Sequence, residues 1–165
     1  MTQAEDWVLL AYRLPRLPST PRSAVWRKLK RLGVAQLGDG LVALPADART
    51  RELFEWVAEE VTDHGGEATL WLGQPLGTAA HAEIVARMTK AVDADYDAVT
   101  AEANTSAELD PLARRRAVSR LRREMHRIQA RDYFGSEHGE TARRALELLA
   151  ASQPSQAGSQ TGPLA

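Results

Sequence analysis

The run Trp7-Val8-Leu9-Leu10-Ala11-Tyr12 is apolar or aromatic at every position. A short run without alternation is the pattern of a strand covered by other elements and flanked on both edges, not of a half-solvated one. A chain that places such a strand near its start must supply neighbouring strands and a covering layer from its later segments.

Those later segments have the required periodicities. Thr20 before Pro21 predicts a helix start, since threonine caps free amides and proline has no amide to lose at the first helical position. The helix is predicted to run to about Leu32, with Val25, Trp26, Leu29 and Leu32 on one stripe and Arg27, Lys28, Lys30 and Arg31 opposite. Gly33 ends it. Val34–Leu37 and Leu41–Leu44 flank Gly38-Asp39-Gly40 and predict a hairpin. From about Asp47 to Asp63 helical spacing returns: Leu53, Phe54, Val57, Ala58 and Val61 form a face, and Glu52, Glu55, Glu59, Glu60 and Asp63 an acidic outer side. Glu67–Leu72 then alternates as a strand before Gly73 and Pro75 break it. The order β-α-β-β-α-β is a split βαβ pattern, so the predicted class is α+β: a ferredoxin-like, four-stranded antiparallel sheet over residues 6–75, with both helices on one face.

Residues 78–150 read as a helical extension packed on that core. Ile84, Val85, Met88, Val92, Tyr96 and Val99 mark one long helix. Val118, Leu121, Met125 and Ile128 mark a second, and Ala142, Ala145, Leu146 and Leu149 a short third, from about Gly139 to Ala150. Residues 151–165 are rich in Ser, Gln, Gly and Pro and are expected to be a disordered tail.

A chain of 165 residues suits one core. No apolar stretch approaches the roughly 18 residues of a membrane span. The acidic start Met1-Thr2-Gln3-Ala4-Glu5-Asp6 lacks an apolar leader core, so a cytoplasmic location is expected. With no cysteine, disulfides, thiolate metal sites and thiol redox chemistry are excluded. Phosphate-binding glycine loops, zinc spacings and nucleophile elbows do not occur, and the four histidines are scattered. The expectation is a protein that is not an enzyme, without cofactor or metal.

The net charge of −1 conceals segregation. Residues 13–31 hold seven bases and no acid, residues 32–110 fifteen acids against four bases, and residues 111–165 ten arginines against five acids. A segment that cannot neutralise itself locally favours an anionic partner. In one reading Arg13, Arg16, Arg22, Arg27, Lys28, Lys30 and Arg31 meet the phosphate backbone of DNA. In the other they pair with the acidic helix beside them, through Glu52, Glu55 or Glu59. A third possibility has Arg13, Arg16 and Arg22 converging on a small oxyanion such as chromate or sulfate. The fourth helix poses the same choice: pairing with Glu83, Asp93, Asp95, Asp97 and Glu102 accounts for part of its charge. Arg115, Arg116, Arg123 and Arg127 are left as an auxiliary basic or homodimer surface. Trp7, Trp26, Trp56 and Trp71 are read as packing residues, with Trp26, near Arg22 and Arg27, kept as a binding aromatic.

Trp7–Pro15, Pro18-Ser19-Thr20-Pro21-Arg22 and Val25-Trp26-Arg27-Lys28-Leu29 together resemble the N-terminal domain of the chromate-resistance regulator family ChrB. Arg31-Leu32-Gly33, Leu44-Pro45, Phe54–Val61, Gly65-Gly66-Glu67-Ala68 and Arg127–Gly135 extend the resemblance over about residues 6–150. It implies a cytoplasmic bacterial protein associated with control of a chromate-efflux operon through a DNA-associated region. The first half is also distantly similar to the ferredoxin-like domain of the phenylacetate-catabolism repressor and to the small CRISPR-adaptation nucleases. Those nucleases hold a metal on an aspartate at the end of the first strand, where this chain has Tyr12-Arg13. A guanidinium cannot ligate a divalent cation, which argues against nuclease chemistry.

Overall fold

The computed structural model describes residues 6–152. Its elements are β1 (Trp7–Arg13), α1 (Thr20–Leu32), β2 (Ala35–Gly38), β3 (Leu41–Pro45), α2 (Ala48–Asp63), β4 (Glu67–Gly73), α3 (Thr78–Ser106), α4 (Pro111–Arg131) and α5 (His138–Ala151). The strands form one antiparallel sheet in the order β2-β3-β1-β4. β1 is therefore an inner strand with a partner on each edge, Leu10 lying between Val42 and Leu70, as its unbroken apolar run requires.

The chain divides into two compact units. Among the described residues, one holds residues 6–92 together with Ala130–Ser136; the other holds Asp93–Gln129 and residues 137–152. In the first unit, Val8, Leu10, Val42 and Leu44 of the sheet join Val25 and Leu29 of α1 and Phe54, Val57 and Val61 of α2 in one buried cluster. Each such side chain contributes about 1.5–3 kcal/mol by leaving water. On the other row of β1, Trp7 is 2% exposed. Its indole donates from Nε1 to His81 Nδ1 at 3.2 Å and its ring meets Phe134. The Tyr133 hydroxyl donates to Leu32 O at 2.6 Å, and the Arg49 guanidinium lies over the Tyr133 ring, so residues 130–136 are fastened to this unit.

α2 begins with a capping box: the Asp47 carboxylate accepts from the Thr50 amide at 2.7 Å while Thr50 Oγ1 accepts from the Asp47 amide. In the second unit the buried residues, among those described, are Tyr96, Val99, Ala103 and Ser106 of α3, Ala117, Val118, Leu121, Met125 and Ile128 of α4, and Ala142, Leu146 and Leu149 of α5. Among the described residues no helix is long and apolar enough to cross a membrane. The tail expected from residue 151 lies, from residue 153 on, outside the described residues.

The tryptophans divide. Trp7 is buried and Trp26 half-buried, but Trp56 and Trp71 are 57% and 60% exposed. The packing role expected of those last two is corrected: Trp56 lies off the buried stripe of α2, and Trp71 is on β4, a sheet edge.

Candidate functional site

The end of β1 is fixed by two close backbone approaches. The Tyr12 amide donates to Gly40 O at 2.8 Å, where the β2–β3 hairpin turns with Gly40 at φ 72°. A Cβ on Gly40 would lie 2.3 Å from Tyr12 O, so only glycine lets the turn come this near. On the other side a Cβ on Gly66 would lie 2.4 Å from Arg13 O. Leu14 is buried, and the chain from Pro15 to Thr20 is exposed beyond it.

α1 buries Val25 and Leu29, which sends Arg22, Arg27, Lys30 and Arg31 to solvent. Its first turn carries no acid and its last turn carries Lys30 and Arg31, a distribution that suits the helix dipole at the C-terminal end. Two of the seven bases are neutralised. Lys28 pairs with Glu60 of α2, and Arg13 pairs with Glu67 at 2.9 Å. The second pair is about four-fifths exposed on both sides, so water screens it and it contributes about 0–1 kcal/mol. Among the described residues Arg16, Arg22, Arg27, Lys30 and Arg31 form no ion pair. Arg27 Nε donates to Ser23 O at 3.3 Å, and Lys30 Nζ lies 5.8 Å from the centre of the Trp26 ring. The expected muting by Glu52, Glu55 or Glu59 is thus corrected to a single contact from Glu60, further along α2.

Tyr12, Arg13, Leu14, Arg22, Ser23, Trp26, Gln36, Asp39 and Gly40 line a cleft of about 510 Å³ between the end of β1, the first turns of α1 and the hairpin. Burial pushes the Tyr12 phenol above its ordinary pKa. Arg13 and Arg22 share this cleft; Arg16 is not among the residues lining it.

The family described as Protein ChrB, N-terminal, matches residues 22–156. The chain belongs to that family. ChrB is associated with chromate resistance, and the matched range takes in all but the first two residues of α1 and every later element of the structure. β1 and the proline-bearing loop, with Arg13 and Arg16, precede it. No curated protein and no solved structure matches the chain.

The ChrB match also covers the second basic region. Arg115, Arg116 and Arg123 of α4 are exposed and, among the described residues, form no ion pair; Arg127 pairs with Glu124 of its own helix at 3.0 Å. Of the acidic residues on α3 that were expected to pair with α4, Glu102 does so, with Arg120. Arg114 closes the α3–α4 turn against the end of α5, its guanidinium donating to the carbonyls of Ala107, Leu109 and Ser152 at 2.8–2.9 Å.

Among the described residues no group of three or more His, Asp or Glu side chains is arranged to hold a metal ion. His64 caps α2, His81 accepts from Trp7, and His138 Nδ1 lies 2.7 Å from Asp97 Oδ1. Tyr12, Gln36 and Asp39 are the site residues that sequence reasoning passed over. The Gly38-Asp39-Gly40 turn was the available signal for Asp39, but the closeness of that turn to Tyr12 depends on the sheet register.

Proposed function

We propose that this chain is a non-enzymatic, cytoplasmic regulatory protein of the chromate-resistance type that meets DNA through the surface from Arg13 to Arg31. The sheet and its two covering helices are read as a ferredoxin-like unit, on the strength of the β-α-β-β-α-β succession and the order β2-β3-β1-β4. The observation that carries the DNA reading is the set of exposed cations, Arg16, Arg22, Arg27, Lys30 and Arg31, that lie on one loop and helix and form no ion pair among the described residues. Phosphate contacts of this kind release counterions, so affinity falls steeply with salt. Fluorescence anisotropy of the full chain with labelled duplex DNA tests this: binding at low salt that weakens as salt rises is expected, and no binding at low salt refutes it. Arg13 at the end of β1 is what supports a non-enzymatic role, since a cation there opposes metal binding.

A second reading, a small-oxyanion sensor, draws support from Arg13 and Arg22 lining one cleft. Calorimetry with chromate and with sulfate separates the two, because the DNA reading needs no tight stoichiometric oxyanion. Homodimerisation, or an adaptor role, is favoured by exposed Trp71 and Leu72 on the edge strand β4 and by exposed Trp56 on α2, and light scattering checks it.

A further inference from the structure

We propose that the cleft between β1, α1 and the β2–β3 hairpin is a nucleotide-binding site, which takes an unpaired base against Trp26 and the attached phosphate on Arg22 and Arg13. This rests on the reading that the surface from Arg13 to Arg31 meets phosphate, and it adds the class of nucleic acid that the surface prefers.

Size comes first. At about 510 Å³ the cleft has the volume of a site for an organic ligand, within the usual range of about 300–1,000 Å³. A tetrahedral oxyanion would fill a small part of it and leave the aromatic wall unused. Chemistry comes second. Tyr12 and Trp26 give the wall two aromatic side chains, and base–aromatic stacking tolerates any base because each has a π face. Lys30 lies over the same indole and adds positive charge beside a stacked base and its phosphate.

The polar lining comes third. Gln36 and Asp39 are exposed on the hairpin side. A glutamine amide offers a donor and an acceptor together, the pair that reads adenine at N6 and N7, and a carboxylate accepts from an exocyclic amine. In a duplex the faces of the bases are covered by their neighbours, so a stacked base must come from a single strand, an opened step or a free nucleotide.

The full chain is titrated at low salt with labelled oligo(dA) of about 12 nucleotides, with the matching duplex, and with dAMP followed by tryptophan emission. The expected result is tighter binding of the single strand than of the duplex. Trp26→Ala is expected to weaken single-strand binding about ten-fold and to weaken it more than duplex binding, while Trp26→Phe restores the single-strand affinity. Saturable dAMP binding that depends on Trp26 assigns the cleft to a free nucleotide; strand binding without dAMP binding assigns it to a nucleotide within a chain. Should Trp26→Ala fail to fold by circular dichroism, the exposed-site variants Gln36→Ala and Asp39→Asn decide, since each is expected to shift the preference between oligo(dA), oligo(dC) and oligo(dT). Single-strand affinity indifferent to all these changes, with duplex binding intact, overturns the cleft assignment alone. Failure of every nucleic acid to bind overturns the phosphate reading with it, and dAMP binding without any DNA binding would leave the cleft standing and the DNA reading refuted.

Discussion

Gly40 shows how much of the site hangs on one backbone position. Its φ of 72° and the 2.3 Å that would separate an added Cβ from Tyr12 O are separate penalties, so Gly40→Ala is expected to destabilise the chain by about 2–3 kcal/mol in urea unfolding and to open the cleft floor. Spacing alone identified Gly38-Asp39-Gly40 as a turn but carried no information about what that turn approaches. The same limit explains the tryptophans. Periodicity assigned Leu53, Phe54, Val57, Ala58 and Val61 to the inner stripe of α2, and Phe54, Val57 and Val61 are fully buried. Trp56 falls off that stripe, and Trp71 lies on the edge strand β4 in the row opposite that of half-buried Leu70, so its exposure is a fact of strand order and register and not of residue type. The helix start expected at about Asp47 is fixed locally, because the capping box there is closed within four residues. Asp47→Ala is expected to lower stability by about 1 kcal/mol, read in the same unfolding measurement.

Elements were the most legible level. A strand without alternation, a proline in the first turn of α1 and glycine stops are local signals, but the cap position of α1 falls to Ser19, without a side-chain hydrogen bond, and not to Thr20 as expected. The structure differs from the expected bounds by a residue or two: β1 extends to Arg13, β4 to Gly73, and α5 starts at His138. Pairing between elements was not legible, since it depends on how far each helix is rotated and shifted along its neighbour. Lys28 therefore meets Glu60 and not Glu52, Glu55 or Glu59. The start of α5 carries a pH-dependent contact of this kind. The hydrogen bond that His138 donates to the Asp97 carboxylate raises the His138 pKa above its ordinary value, with the charges of Asp97, Asp93 and Glu137 adding to it. A raised histidine pKa in the folded state stabilises it fully below the unfolded value, and the gain is lost as pH rises through the folded value. Titration of the His138 ring by NMR is expected to give a pKa above that of an exposed histidine, and Asp97→Asn to bring it down; an unchanged value in the variant contradicts the contact.

For the whole molecule, element order led to the sheet because so few connections join a β-α-β-β-α-β succession, and an inner β1 follows from its composition. The charge blocks were equally plain in the chain, but whether they are neutralised is a property of the fold. The structure pairs Lys28 and Arg13 and leaves five neighbouring cations exposed without an ion pair among the described residues. A surface of that kind binds DNA by displacing counterions, with a slope of log affinity against log salt of about −0.9 for each phosphate neutralised. The decisive measurement is that slope for duplex DNA, compared between the unaltered chain and the double variant Arg22→Ala with Arg27→Ala. A steep negative slope that becomes shallower by about 2 in the variant is expected. Equal slopes in the two proteins, or affinity that does not respond to salt, would contradict a DNA surface between Arg13 and Arg31.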